Sequence, residues 1–212
     1  MGRITQRVLD AARTVATGEG VAAEALVAVA LVETDGRSLA AVGERFEPLI
    51  RFEGHYFDRL LTGRPREVAR LAGLAHPKAG RVRNPADQEA RWRLLERAIA
   101  IHREAAFASA SWGLGQVMGA HWQALGFASA EALAACARAS VAGQLRLVAR
   151  FLKLGRLDAL LGKGDMAGFA LRYNGPAFRQ NRYDAKIAAA WNEAKAALAR
   201  PFAAGMSPKG VP

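Results

Sequence analysis

Apolar residues recur along this chain at three- and four-residue intervals far more often than they alternate, which is the pattern of helices rather than strands. Leu26 to Val32 forms an uninterrupted apolar run, closed by Glu33 and the breaker Thr34-Asp35-Gly36. A helix is predicted there over 22–33, preceded by one over 4–15 that gives way to Gly18-Glu19-Gly20. Asn84-Pro85-Ala86-Asp87 opens a further helix over 88–101, with Trp92, Leu95 and Ile99 at helical spacing. The same periodicity predicts helices over 55–61, 119–125, 129–138, 141–154, 157–161, 165–173 and 184–200. Ser129 and Asp165 are placed as N-caps, and Gly126 and Gly155 as helix stops. Only 41–52, with Phe46, Ile50 and Phe52 around a Glu-Pro break, favours extended structure, so a small hairpin is placed there. The Gly, Pro and Asn residues of 75–85 predict a surface loop. The fold class expected is mainly α: many short helices with one minor extended element, as a single domain over 1–200 and a flexible tail over 201–212.

Composition agrees and narrows the class. A chain of 212 residues with 51% hydrophobic content and mean hydropathy of +0.01 can bury a core and reads as globular. One cysteine, Cys136, rules out an internal disulfide framework, and no Cys/His spacing suggests a zinc site, so no metal or other cofactor is expected. The basic N-terminus is not followed by an uninterrupted apolar segment, and no run approaches the roughly eighteen residues of a membrane span. Synthesis in a reducing cytoplasm without a signal peptide is expected. The formal charge of +11 is uneven: residues 1–137 carry 17 basic against 15 acidic groups, and 138–212 carry 13 against 4. An anionic partner for the last third follows as an expectation.

Glu33 is the first catalytic candidate. A carboxyl placed where an apolar helix ends in a loop loses hydration on one side and faces a cleft on the other, which raises its pKa toward that of a general acid. The alternative is a solvated residue in a last helical turn, where a negative charge opposes the helix dipole.

Glu33 lies in the first of three ordered segments: Val32-Glu33-Thr34, then Ala110-Ser111-Trp112-Gly113-Leu114-Gly115-Gln116-Val117-Met118-Gly119, then Arg172-Tyr173-Asn174-Gly175-Pro176. The series resembles that of lysozyme-like lytic transglycosylases and goose-type lysozymes. With Arg51-Phe52-Glu53-Gly54-His55-Tyr56-Phe57 it is closer to the phage and prophage endolysins of the N-acetylmuramidase family. In order, the likeness runs from about Leu26 to Trp191. It implies a lysozyme-like fold that cleaves the β-1,4 bond between N-acetylmuramic acid and N-acetylglucosamine in peptidoglycan, with Glu33 at the position of the catalytic glutamate. Three positions depart from the family pattern: Thr34 where Ser is usual, Gly115 where Phe or Met is usual, and Gly54 where Arg is usual.

Glycoside cleavage needs a protonated carboxyl for the leaving oxygen and then a group that captures or stabilises an oxocarbenium-like centre. Ser111, Gln116, Tyr173 and Asn174 offer neutral donors and acceptors for sugar substituents. Glu53 is the better second carboxylate than Asp35, weighed equally against a structural ion pair with Arg51 or Arg45. Without a second carboxylate facing the sugar, a lytic transglycosylase giving 1,6-anhydro products is the alternative reaction. Trp92, Trp112 and Trp122 are read as core before sugar platforms. The basic third, including Arg146, Arg150, Lys153 and Arg156, is expected to meet anionic envelope polymers or lipopolysaccharide. A nucleic-acid-binding role is disfavoured because no recognition helix or interleaved aromatics accompany the charge. A non-catalytic wall-binding module stands as the other class. The reading is a monomeric enzyme acting in the periplasm and cell wall.

Overall fold

The computed structural model describes residues 4–199. Helix α1 (Gln6–Glu19) is capped by Thr5, whose Oγ1 accepts from the Val8 N–H, and it runs past the predicted stop at 15 to Gly20, which closes it at φ 67°. Helix α2 (Ala23–Thr34) is apolar all round and buries every residue from Ala25 to Leu31. A helix with no polar face belongs at the centre of the core. It extends one residue beyond the predicted end, so Glu33 sits inside the last turn.

The extended excursion is real and larger than predicted. Strands β1 (Leu39–Val42) and β2 (Arg45–Pro48) form an antiparallel hairpin with Ala41 opposite Phe46, and β3 (Ile50–Phe52) leads into α3 (Gly54–Leu60). Helix α4 (Gly63–Leu71) was not predicted: it buries only Ala69, so it lacks the apolar stripe by which helices are read. The 75–85 segment has no regular structure, and α5 (Gln88–Ile101) follows with Asp87 as N-cap. The short helix α6 (Arg103–Ala108) is a second unpredicted element.

Strand β4 (Ala110–Trp112) pairs with β3 on one side and with β5 (Val117–Met118) on the other. The helix expected over 119–125 is instead a 3-10 turn at Gly119–His121 and further turns. So short a stretch between a strand and Gly126 gives too few hydrogen bonds to offset helix nucleation. A Cβ on Gly119 would also lie 2.1 Å from the Phe107 carbonyl oxygen, so the chain here is pressed against the end of α6.

Four helices then follow close to prediction: α7 (Ala130–Ala139), α8 (Val141–Leu154), α9 (Leu157–Gly162) and α10 (Met166–Asn174). Ser129 and Asp165 cap α7 and α10 as expected. Gly155 follows α8 but in a right-handed conformation, while Gly126 is left-handed after turns rather than after a helix. Helix α11 (Tyr183–Leu198) lays Tyr183, Ile187, Ala190 and Ala194 into the core and packs along α2, which α1 flanks as well. The core continues to the sheet, where Trp112 is fully buried, stacks on Phe107 and meets the edge of Trp92. Such ring pairs add about 1 kcal/mol each beyond area burial. Trp92 and Trp112 are therefore core residues. The tail expected over 201–212 lies outside the described residues.

Candidate active site

Glu33 owes its place to how α2 ends. Asp35 turns left-handed at φ 55°, its N–H donating to Leu31 O and that of Gly36 to Ala30 O. The buried Thr34 hydroxyl is shared between Ala30 O (3.0 Å) and Leu114 O (3.2 Å), which fastens the last turn of α2 to the 3-10 turn Gly113–Gly115. A hydroxyl is all this bond needs, so Thr serves where Ser is usual.

The Glu33 carboxyl faces two cavities of about 420 and 510 Å³ that meet around it. The first lies between α2, the hairpin and the start of α5, with Arg37, Leu49, Asp87 and Gln116 in its walls. The second lies between α2 and α11 and includes Lys186 and Ala189. Tyr183 donates its hydroxyl to Glu33 Oε1 at 2.6 Å. Burial is the largest influence on the acid and raises its pKa above the ordinary 4.5; the Tyr183 hydrogen bond and the Lys186 charge oppose it without reversing the direction. Position in the last turn of a helix acts in the same sense as burial. Tyr183, itself buried, has its pKa driven far upward and remains a donor.

Tyr183 was not among the predicted site residues. The helix starts at Tyr183, one residue before the predicted 184, and Tyr183 stands four positions before Ile187 on the same apolar stripe, which is the signal that finds it. Its ring stacks on Tyr173, which stacks in turn on Phe169 and donates its hydroxyl to Gly115 O at 3.0 Å. The aromatic column thus links the acid's partner to the Gly113–Gly115 turn. Gln144 was also missed: a lone amide on the apolar face of α8, it accepts from Leu114 N and donates to Ser38 O. Buried amides are held only where such partners exist.

The structure places the other candidates unevenly. Gln116 lines the first cavity beside Glu33; it is left-handed at φ 46°, and its amide nitrogen donates to Gly113 O and Leu49 O. Tyr173 meets Glu33 through Tyr183. Ser111 is buried in β4, donates to Met118 Sδ, and lines neither cavity. Asn174 is exposed at the end of α10 and is also outside both. Glu53 accepts from Arg51 Nε at 2.7 Å, lies 3.5 Å from His55 Nδ1, and likewise lines neither cavity. The ion pair with Arg51 is the structural alternative weighed for it. Among the described residues no group of His, Cys, Asp and Glu is arranged to hold a metal ion.

Residues 22–195 match the N-acetylmuramidase family. The chain belongs to that family. The muramidase is also similar in structure to the Burkholderia AP3 phage endolysin, whose crystal structure it matches with a TM-score of 0.74 and 29% identity, over 89% of this chain and 71% of that one. No curated protein matches the chain at a significant level. Family and neighbour together make it a glycoside hydrolase acting on peptidoglycan, with a mainly helical, lysozyme-like fold.

Two of the muramidase's departures now have packing reasons. A Cβ on Gly115 would fall 2.3 Å from Val148 Cγ2, so α8 fills the volume that a larger residue would occupy. A Cβ on Gly54 would fall 2.4 Å from Val82 Cγ2, because the 75–85 loop lies against the start of α3. The basic surface on α8 is partly committed within the muramidase: Arg146 and Arg150 each stand 3.4 Å from Glu19, and Lys153 donates to the Glu19 carbonyl.

Proposed function

We propose that the chain is an endolysin that hydrolyses the β-1,4 bond between N-acetylmuramic acid and N-acetylglucosamine, with Glu33 as general acid. The observation that carries this reading is a half-buried carboxyl, raised in pKa, facing two cavities and touched at one oxygen by a neutral phenol. With Oε1 occupied by Tyr183, the proton leaves from Oε2 to the glycosidic oxygen as the bond to the anomeric carbon breaks. The sugar 4-hydroxyl departs and an oxocarbenium-like centre remains. The Glu33 carboxylate so formed keeps the Tyr183 hydrogen bond and the Lys186 charge, both of which favour its ionised form. Water then adds to the anomeric carbon and returns its proton to Glu33. Gln116 and Tyr173 serve substrate placement, Gln116 from the cavity wall and Tyr173 by fixing Tyr183 and the Gly113–Gly115 turn; Ser111 supports that wall from within the sheet, and Asn174, outside both cavities, would meet the glycan only beyond them.

The second reading, a lytic transglycosylase, is favoured by one observation: Glu53 is engaged by Arg51 and lines neither cavity. The substrate would then supply the intramolecular nucleophile and end as a 1,6-anhydro sugar. Mass spectrometry of fragments released from purified sacculi by the wild type and by Glu33→Gln distinguishes these readings. Reducing N-acetylmuramic acid ends that vanish in the variant are expected; anhydro ends replace hydrolysis by transglycosylation, and undiminished release by the variant overturns Glu33 as the acid.

The likeness to the phage protein supports the endolysin part of this reading, and on that reading the chain works as a monomer on the cell wall from the periplasmic side. Among the described residues no helix is long and apolar enough to cross a membrane. The basic last third would hold the enzyme to anionic envelope polymers or lipopolysaccharide, and a charge-reversed set of Arg146, Arg150, Lys153 and Arg156 with unchanged binding to whole cells and sacculi removes that role.

A further inference from the structure

Two guanidiniums line the first cavity, and they differ in what they hold. Arg91 donates through Nε to Pro85 O and through Nη1 to Ile50 O, so it is part of the frame that joins α5 to β3. Arg37 leaves the end of α2 just after Gly36, is exposed, and lines both cavities together with Glu33. Among the described residues its side chain forms no ion pair and no hydrogen bond. The acids sharing the first cavity are engaged: Asp87 accepts from Ala90 N to cap α5, and Glu89 accepts from Arg93 at 2.6 Å. Arg51, the third cation nearby, is paired with Glu53. Arg91 feels the surplus, since after burial the charges of Arg51 and Arg37 are what depress its pKa. Glu33 takes its cationic influence from Lys186 rather than from Arg37.

A guanidinium held beside the acid, unpaired and crowded by like charge, is matched to an anion that arrives with the substrate. The planar fork suits a carboxylate in particular, by two parallel hydrogen bonds. We infer that Arg37 binds a carboxylate of the glycan strand and so selects sugars that carry acidic substituents. This rests on the reading of the cavities around Glu33 as the glycan cleft. Carboxylates come from two sources on such a strand: the lactyl arm of a muramic residue stripped of its peptide, or the stem peptide where the lactyl carboxyl is tied up as an amide. Either meets the same chemistry at Arg37.

Titration calorimetry in a Glu33→Gln background, where fragments bind without being cut, tests the assignment. Three soluble ligands serve: a muramyl fragment with stem peptides, the same strand stripped to free lactyl carboxylates, and the stem-bearing fragment with its carboxylates converted to methylamides. Adding Arg37→Gln is expected to weaken one or both acidic ligands by about ten- to a hundredfold and to leave the methylamide unchanged. Weakening confined to the stem-bearing ligand identifies the stem carboxylate, and weakening confined to the stripped strand identifies the lactyl one. Arg37→Lys should recover part of the loss, and thermal melting checks that each variant folds. Equal weakening of acid and methylamide forms, no change with any ligand, or no binding by the Glu33→Gln protein overturns the inference. Sacculus digestion by Glu33→Gln judges the acid separately, so either conclusion can fall while the other stands.

Discussion

Two carboxylates taken from water in different surroundings show how one side-chain type can be fitted to two roles. Glu47, 4% exposed in β2, receives Arg138 of α7 at 2.5 and 2.9 Å, and Arg138 lies over the Trp92 ring as well. Charge meets charge there, and the pair joins strand to helix. Glu33 receives a phenol and takes its cationic influence from Lys186. A buried carboxylate matched by a fixed guanidinium serves architecture, and removing one partner strands the other. A carboxyl given a neutral donor and a desolvated site can hold its proton, which is what donation to a leaving group requires.

The largest test of this contrast removes the acid without changing its shape. Glu33→Gln should lower turnover of purified sacculi by roughly 10²- to 10⁴-fold, measured by release of soluble fragments. Its stability should move the other way. The folded pKa of Glu33 lies above the ordinary value of 4.5, so the folded state binds the proton more tightly and that contribution is fully present below pH 4.5. It is lost as pH rises through the folded pKa, so Glu33→Gln should gain on the wild type in melting temperature from pH 4 to pH 7. A fall in the variant's melting temperature relative to the wild type over this range contradicts the raised pKa.

On the structural side, Arg138→Leu should cost about 2 kcal/mol, a figure reduced for the partial exposure of Arg138, and lower the melting temperature by roughly 5 °C. Turnover per folded molecule should stay within about twofold of the wild type. A large loss of turnover at unchanged stability would erase the division between the two carboxylates. Gly115→Ala should cost about 1–2 kcal/mol by overpacking against Val148, and Val148→Ala in the same chain should return part of it; additive losses in the double-mutant cycle would exclude that contact as the cause. The smallest effect is expected from Tyr183→Phe. With the donor gone, burial acts less opposed, the Glu33 pKa rises further, and the alkaline limb of kcat/KM moves to higher pH, whereas a downward move would reverse the part given to Tyr183.

Much of the fold was legible because it is written in local periodicity. The apolar run of α2, the Trp92-Leu95-Ile99 spacing of α5, and the caps Ser129 and Asp165 each report a helix through neighbours a few residues away. The strand at Ala110–Trp112 does not, since it exists through pairing with Ile50–Phe52, some sixty residues distant in sequence, and Val117–Met118 is a strand only because it pairs with Ala110–Trp112 in turn. Helix α4 escaped for the opposite reason, having too little buried surface to leave a pattern. In the site, Glu33 could be found from the break in hydrophobicity after Val32. The Glu53–Arg51 pair, the sulfur contact of Ser111 and the hydroxyl that Tyr183 brings to Glu33 are matters of side-chain direction, which spacing leaves open.

The burial of α2 on all sides bears also on time. Residues from Ala25 to Leu31 are buried on every side, so exchange of their amide protons is expected to follow opening of the whole domain. These should be among its slowest amides, and the backbone that carries Glu33 is then anchored to a segment as persistent as the folded state itself.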